Sequence, residues 1–291
     1  MLNLFKKRKK KQQQKDVKEF ANGSIRAVVI TDLGNIRANN EDLGLFFRVE
    51  DASEKGCLLM VADGMGGHNA GEVASRIAGD VISHEYFKQS SSIEKSLHKA
   101  FELANKNILA TSKSNKSMNG MGTTCTTLVV VGPDVYYAHV GDSRAYLLKR
   151  GKIFQITEDH TYVQDLVNHG EITKGEAAAH PKRNILTNAM GTKETLRIDT
   201  GKFALPIEEN DRLMICSDGL YDYLNDDEIA RILGGTSLHD AANRLVEEAK
   251  NRGGHDNITV VLAENIAAST GTPEKETKDF DLPLTQEHDL P

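Results

Sequence analysis

Residues 58–75, LLMVADGMGGHNAGEVAS, join the two kinds of element from which the fold is predicted. An apolar run that is typical of a buried strand ends at Asp63, and a glycine-rich turn follows it. From Ala70 onward, apolar residues recur at three- and four-residue spacing, which predicts a helix. A core strand that stops at a carboxylate raises the question of whether other strands end in the same way.

Short β-rich runs alternate with two helical blocks between about residues 24 and 265. The predicted strands are SIRAVVITD, GLFFRVE, CLLMVAD, TTCTTLVVV, DVYYAHVGD, SRAYLLKRGKIFQIT, DRLMICSD and NITVVLAE. Tight turns in VVVGPDVYY and YLLKRGKIFQI predict hairpins, and the helices come in two pairs, at residues 70–112 and 225–252. The predicted fold is therefore α+β, with a central antiparallel β-sandwich flanked by pairs of antiparallel helices in four layers, α-β-β-α.

Composition is that of an ordinary soluble globular protein. Of the 291 residues, 39% are hydrophobic and 27% are charged. No apolar run approaches the roughly 18 residues that a membrane span needs, and the net charge of -6 argues against a surface built for nucleic acid. The three cysteines show no CxxC spacing and are interpreted as buried thiols. We expect a cytoplasmic protein without a transmembrane segment or a nucleic-acid partner.

The two ends of the chain differ in composition from the middle. Residues 1–22 contain the basic run FKKRKKKQQQK, and residues 267–291 are acidic and contain proline. Both are expected to be disordered tails on either side of one domain at residues 23–266. Contact of the basic tail with an anionic surface, lipid or nucleic acid, is the alternative to a plain solvated segment.

Acidic residues recur at the ends of the predicted strands. LMICSDGL repeats the form of LLMVADGM, so Asp218 corresponds to Asp63. The other acidic residues at strand ends are Asp142, Asp256, Glu41 and Asp42. One Asp-Gly pair is usually a turn, but several carboxylates that converge would repel one another unless cations neutralise them. Hard oxygen donors without a Cys or His set favour magnesium or manganese over zinc.

Arg37 stands four residues before Glu41 in GNIRANNED. A guanidinium group beside a metal–carboxylate cluster matches the geometry of phosphate, although a surface ion pair with a neighbouring acid is an equal alternative. There is no phosphate-binding loop of the Walker type, no Gly-x-Ser-x-Gly elbow and no His-Glu-x-x-His sequence. Metals and arginine together indicate hydrolysis of a phosphoester.

Eight motifs of the chain resemble, in order, those of bacterial metal-dependent Ser/Thr protein phosphatases of type 2C. They are TDLGNIRANNED, VADGMGGHNAGEVAS, MGTT, HVGDSRAYLL, ITEDHTYVQDLVNHGEIT, HPKRNILTNAMG, CSDGLYDYL and GGHDNITVV. The resemblance spans nearly all of residues 24–265. It implies a β-sandwich between helices and hydrolysis of phosphoserine and phosphothreonine with two manganese or magnesium ions.

The resemblance also implies a role for each matching residue. The implied metal ligands are Asp63, which bridges both ions, the carbonyl of Gly64, Asp218 and Asp256, with Glu41 acting through a water. Arg37 would hold the phosphate, and Asp142 with Asp218 would hold a third, weaker metal. Residues 170–200 fall where the family carries a mobile flap that gates the site.

Two positions depart from the family's pattern. Met65 stands where animal members carry a histidine, so a histidine general acid is in doubt there, and His68 nearby is interpreted as a capping or surface residue. Asn188 stands where many relatives have arginine, which alters the expected contacts of the flap.

The leading hypothesis is an active, monomeric protein Ser/Thr phosphatase. Its expected partners are phosphorylated proteins, including a Ser/Thr kinase and that kinase's substrates. One alternative is a catalytically silent relative that binds phosphoprotein, which the intact carboxylate set argues against. Others are a phosphatase of small phosphoesters and a signalling module that the basic tail directs to a membrane. Activity on a phosphothreonine peptide against a small ester, with and without manganese, separates them.

Overall fold

The computed structural model describes residues 15–22, 25–49, 53–67 and 69–265. Its strands are β1 Lys15–Asn22, β2 Ile25–Asp32, β3 Asp42–Phe47, β4 Cys57–Met65, β5 Gly122–Thr123, β6 Cys125–Val131, β7 Asp134–Val140, β8 Arg144–Lys149, β9 Lys152–Gln155, β10 Asp199–Lys202, β11 Arg212–Cys216 and β12 Ile258–Asn265. Its helices are α1 Ala70–Lys88, α2 Ile93–Ser114, α3 Tyr162–Asn168, α4 Lys174–Ala178, α5 Asp218–Tyr221, α6 Asp226–Gly235 and α7 Leu238–Asn251.

The strands form two antiparallel sheets. The first has the order β1-β2-β12-β11-β8-β9, and the second has the order β10-β7-β6-β4-β3, with β5 paired to the end of β4. Every strand pairing is antiparallel. The predicted α+β class, with two antiparallel sheets and helices, is confirmed.

Three hydrophobic clusters fill the spaces between these elements. One joins α6 and α7 to the first sheet, a second joins α1 and α2 to the second sheet, and a third lies between the sheets. Strand β4 shows the alternation that produces them: Met60 belongs to the helix-facing cluster, whereas Leu59 and Val61 face the other sheet. The same period of two places the side chain of Asp63 on the face between the sheets, at the end of the strand.

Local sequence explains where the elements begin and turn. The side chain of Asn225 caps α6 in a capping box with Glu228, and Ser237 caps α7. The β8–β9 hairpin turns through Arg150 and Gly151, both at positive φ (52° and 75°). Two such residues in succession match the twist of the strands that they join.

The N-terminal boundary of the domain differs from the prediction. Residues 15–22, assigned to a disordered tail, form β1 and pair along their whole length with β2. Phe20 stacks on Phe46 with ring centroids 5.0 Å apart. The charged residues that made this segment look solvated are ordinary on an edge strand. Residues 1–14 and 266–291, which include the rest of both predicted tails, lie outside the described residues.

Several short elements were not predicted from the sequence, namely β5, β10, α3, α4 and α5. Each has at most seven residues, which is too few for a periodic signal. The three cysteines are free and buried, as expected. None of the helices formed by the described residues is long and apolar enough to cross a bilayer.

Candidate active site

The predicted carboxylates lie at one end of the two sheets. Asp63 lies two residues before the end of β4, and Asp218 begins α5 with one residue between it and the end of β11. Asp42, at the start of β3, lies opposite Asp63 in the strand register. Asp142 lies between β7 and β8, and Asp256 lies two residues before β12. Because neighbouring strands are antiparallel, the end of one meets the start of the next, which brings these residues to the same edge.

Electrostatics shows that these carboxylates are close together. Burial raises the pKa of Asp63 well above its ordinary value, and the charges of Asp42, Asp218, Asp142 and Asp256 raise it further. The pKa of Asp218 is also raised well above the ordinary range, first by burial and then by Asp142 and Asp256. A site that holds so much negative charge binds cations, either protons or metal ions.

The pKa values of Asp142 and Asp42 are also raised, but less than those of Asp63 and Asp218. Burial raises the pKa of Asp142 to about 7, with Asp159 adding to the shift and Arg144 opposing it. Burial raises the pKa of Asp42 to about 6, against a hydrogen bond that Ser217 Oγ donates to Asp42 Oδ2 at 2.8 Å. The sequence placed Asp42 among the strand-end carboxylates but assigned it no role, because its approach to Ser217 depends on the packing of the two sheets.

Gly64 occupies a position where no other residue fits. A Cβ there would lie 2.2 Å from the carbonyl oxygen of Gly71 and 2.5 Å from that of Glu41. The Gly64 N–H donates to Glu41 O at 3.2 Å, and Ser75 Oγ donates to the same oxygen at 2.7 Å. The end of β4 therefore packs directly against the first turns of α1, which explains the glycine beside Asp63.

Arg37 lies on the loop before β3, at the edge of the carboxylate cluster. Its Nη2 donates to Asp256 Oδ2 at 2.6 Å, and the Arg37 side chain is 49% exposed. The ion pair that the sequence allowed as an alternative is thus present, and its partner is itself a predicted metal ligand. Glu41 is buried on the same loop; burial raises its pKa, and Arg37 opposes the shift. Both residues lie beside the carboxylate cluster, and their roles stay predictions.

Asn257 holds the loop between β2 and β3 in place, a role that was not predicted from the sequence. Its Oδ1 accepts from Glu41 N at 2.9 Å, and its Nδ2 donates to Leu33 O and Asn39 O, each at 3.0 Å. The side chain is only 4% exposed. A polar residue next to Asp256 at the start of a buried strand was the available signal.

The donor set suits a hard divalent cation. All predicted ligands offer oxygen, and Asp218 Oδ1 is buried without a hydrogen-bond partner in the described part of the chain. Within the same residues, no three Asp, Glu, His or Cys side chains are arranged so that they could hold a metal ion. Asp256 is already engaged by Arg37, which takes one predicted ligand out of such a group. Backbone carbonyl and water oxygens would then complete the coordination of the metal, as is usual for magnesium.

Residues 39–263 match the family model for protein phosphatase 2C. The chain belongs to the protein phosphatase 2C family. It is 39% identical over 247 residues to a serine/threonine phosphatase, stp, of Listeria monocytogenes, covering 83% of this chain and 96% of that protein.

Solved structures of other members share the fold. The serine/threonine phosphatase Stp1 of Staphylococcus aureus is 35% identical with a TM-score of 0.77, over 87% of this chain and 100% of that one. The catalytic domain of PstP, solved in complex with two manganese ions, is 35% identical with a TM-score of 0.71, over 84% of this chain and 99% of that one.

The departures from the family pattern have structural correlates. The Met65 methyl group lies against Gly122, where a Cβ would be 2.6 Å from it, so the thioether packs against β5. Asn188 is buried and donates to His160 Nδ1 at 2.9 Å and to Arg197 O at 2.7 Å. A buried amide therefore ties this part of the predicted flap to His160. His68 lies outside the described residues.

Residues 170–200, which are predicted to form the flap, contact α5 beside the carboxylate cluster. Within it, Arg183 Nη2 donates to Asp222 Oδ2 at 3.0 Å, one helical turn after Asp218. Beneath it, Arg144 donates to Asp159 at 2.7 Å and lies 3.7 Å from the ring centroid of Tyr221. The structure thus connects the flap to α5, while its mobility stays a prediction.

Proposed function

We propose that this chain is a metal-dependent protein serine/threonine phosphatase that hydrolyses phosphoserine and phosphothreonine by means of a water activated by two metal ions. The observation that carries the proposal is the group of carboxylates at one edge of the sandwich, whose charges raise one another's pKa. Such a group is costly to ionise unless divalent cations occupy it. Membership of the protein phosphatase 2C family, whose matched relatives are named serine/threonine phosphatases, supports the same function.

The residues of the site are assigned as follows within this proposal. The proposed ligands of two Mn²⁺ or Mg²⁺ ions are Asp63 as the bridge, the carbonyl of Gly64, Asp218, Asp256 and, through a water, Glu41. Asp142, beside Asp218, would contribute to a third and weaker site. The bound ions supply Lewis acidity, which lowers the pKa of a water and orients it for in-line attack on phosphorus.

Arg37 is proposed to bind the phosphate of the substrate. It uses one nitrogen for Asp256, and its half-exposed guanidinium has other N–H groups that can meet two phosphate oxygens. The loop held by Asn257 keeps the guanidinium beside the cluster, so the arginine is positioned before substrate arrives.

The proton for the leaving serine or threonine oxygen is proposed to come from water. Met65 carries a thioether, which cannot donate a proton. The carboxylates of the site are acceptors that can orient such a water by hydrogen bonds. Small aryl phosphates have good leaving groups and need this help least.

The substrates are proposed to be phosphorylated proteins, including a Ser/Thr kinase and its own substrates, in a cytoplasmic signalling pathway. The enzyme is proposed to act as a monomer through one domain, which begins with β1 and ends with β12. Support comes from relatives that are named serine/threonine phosphatases. The tails at either end are proposed to lie outside this domain.

The deciding experiment is a phosphatase assay with a phosphothreonine peptide and an aryl phosphate, with and without manganese. We expect manganese-dependent hydrolysis of both substrates, and a loss of at least about a hundredfold in Asp63→Asn, since one substitution removes a ligand from both ions. Asp134→Asn, which removes a carboxylate that pairs with Lys202 at a distant hairpin, is the matched control and retains activity.

Each alternative has its own outcome. Binding of the phosphopeptide without hydrolysis at saturating manganese identifies a silent relative, and turnover of the aryl ester alone identifies a small-ester phosphatase. Full activity of Asp63→Asn, with the fold verified by circular dichroism, contradicts the two-metal assignment.

A further inference from the structure

A cleft of about 440 Å³ lies between the flap and α5. Thr161, Lys174 and Arg183 line it on the flap side, and Tyr221 and Asp222 line it on the α5 side. Asp222 N donates to Asp218 O at 3.0 Å, so the wall of the cleft is the same helical turn that begins with a predicted metal ligand. The cleft therefore adjoins the place where the phosphate would bind.

Arg183 reaches into this cleft with most of its hydrogen-bonding capacity unused. Among the described residues its side chain has one partner, Asp222 Oδ2, which takes a single N–H. A guanidinium has five N–H donors, so four remain. The side chain is 43% exposed, and Lys174, also at the cleft, has no ion-pair partner within the described residues. Both cations can accept an external anion without loss of an existing bond.

Two exposed apolar residues are sequence neighbours of residues that line the cleft. Ile185 and Tyr162 are 49% and 37% exposed, and they are among the few large apolar side chains that the described residues expose. They are neighbours, since Tyr162 N donates to Ile185 O at 2.8 Å, and each adjoins a residue that lines the cleft. Exposed apolar surface next to a charged cleft is typical of a protein-binding site.

We propose that this cleft binds the substrate residues that flank the phosphorylated one, and that Arg183 selects an acidic side chain among them. This inference rests on the proposed phosphatase function. Arg183 would keep Asp222 on one nitrogen and use its free N–H groups for the carboxylate of the substrate, in the two-point geometry that arginine favours. Lys174 would add a second positive charge on the same wall.

The position of the acidic residue follows from the helix. Asp218 and Asp222 are one helical turn apart, a spacing at which Cβ atoms are about 5–6 Å from each other. Arg183 binds the far side of Asp222, so its distance from Asp218 is larger than this. An extended substrate advances about 3.3 Å per residue, so the acidic residue is expected two or three positions from the phosphorylated one.

A basic flanking residue is the competing occupant, because three carboxylates, Asp159, Asp222 and Asp226, also line the cleft. Asp159 is paired with Arg144. Asp222 is already paired with Arg183, and Asp226 lies in the first turn of α6, where the helix dipole stabilises its charge. A substrate cation would also approach Arg183 and Lys174. Among the described residues that line the cleft, Asp226 is the one carboxylate without an ion pair, whereas Arg183 and Lys174 both have unused N–H donors, so the balance of charge favours an acidic substrate.

The test compares three phosphothreonine peptides that carry Glu, Ala or Lys at the second and third positions on either side of the phosphothreonine. The measured quantity is the ratio of kcat/KM for the Glu peptide to kcat/KM for the Ala peptide, at saturating manganese. A ratio of about three to ten is expected for the wild type, since a partly exposed charged hydrogen bond has that effect. The ratio should fall to about one in Arg183→Ala and recover in part in Arg183→Lys.

Arg150→Ala is the matched control, because Arg150 also pairs with one acid, Glu208, but lies at the β8–β9 turn away from the cleft. It should keep the wild-type ratio. A wild-type ratio of one, a preference for the Lys peptide or an unchanged ratio in Arg183→Ala overturns the proposal. Failure of the wild type to hydrolyse any peptide overturns the phosphatase function itself, and this inference with it. Because the ratio compares two substrates of one preparation, loss of folded protein does not affect it.

Discussion

Replacement of Asn257 by alanine should release the loop that carries Arg37 without removing any predicted metal ligand, and so test how much the position of that loop contributes to catalysis. The side chain makes three hydrogen bonds to the backbone of the loop that carries Arg37 and Glu41, and it is 4% exposed. Each bond contributes about 0.5–1.5 kcal/mol, so their loss should lower the free energy of unfolding by about 2–4 kcal/mol. The released loop should also lower kcat/KM for an aryl phosphate by on the order of tenfold to a hundredfold.

Asn105 provides a matched control for this substitution. It is 2% exposed and also ties a loop by its amide, with Nδ2 donating to Lys193 O at 3.0 Å and Oδ1 accepting from Gly191 N at 2.7 Å. Asn105→Ala should therefore lose a similar free energy of unfolding in urea. Its bonds reach residues 191 and 193 of the predicted flap and not the loop that carries Arg37, so its kcat/KM for an aryl phosphate should fall less than that of Asn257→Ala. Urea unfolding and steady-state kinetics on the two variants measure both quantities.

A double-mutant cycle identifies Arg37 as the residue through which Asn257 acts. If the loop matters because it positions Arg37, then Asn257→Ala should have little further effect on kcat/KM in an Arg37→Ala background. Equal and additive losses in the two backgrounds would refute this reasoning. So would a variant that loses stability as Asn105→Ala does but retains full turnover.

Three further predictions concern the phosphate, the first strand and pH. Arg37→Ala should cost about 2–4 kcal/mol in kcat/KM, without weaker metal binding in calorimetry, because Asp256 loses a competing partner. Removal of residues 1–14 should leave peptide turnover unchanged, whereas removal of 1–22 deletes β1 and should lower the melting temperature. The metal-free protein should melt at a higher temperature at pH 5.5 than at pH 8. Burial raises the pKa of Asp142 to about 7 and of Asp42 to about 6, so the fold is more stable with these carboxyls protonated and loses that stability as pH rises through those values. A higher melting temperature at pH 8 would contradict these pKa shifts.

The sequence predicts the core strands well because alternation and burial are strong local signals. Strand β4 is apolar on both faces, as it must be between helices and a second sheet, and its run of residues 57–62 could not be solvated. Strand β1 lies at the edge of its sheet, and charged residues occupy four of its eight positions without alternation, so its strongest signal was Phe20. Edge strands are held by pairing with a neighbour, which the local sequence does not encode.

The candidate site likewise contains residues that the local sequence identifies and contacts that only the folded chain reveals. A carboxylate that ends a buried strand can be read from the sequence, so Asp63 and Asp218 were found from their own neighbours. The pairing of Arg37 with Asp256 and the three bonds of Asn257 join the two ends of the chain, and only the packed sheets bring them together. The link from Arg183 to Asp222 is of the same kind, since a flap and a helix meet across the cleft.

The rigidity of the strand ends explains why this edge of the sandwich is suited to metal binding. Asp63 is fixed opposite Asp42 by the β3–β4 pairing, and Gly64 is pressed against α1 without room for a Cβ, so the carboxylates cannot move apart to relieve their repulsion. The remaining ways to relieve it are to bind protons or to bind metal. Since both compete for the same oxygens, metal affinity must fall as pH decreases through the raised pKa values of Asp63 and Asp218. A fold that holds this unfavourable charge in the absence of metal gains stability when metal binds, so the geometry that favours catalysis also couples metal binding to folding.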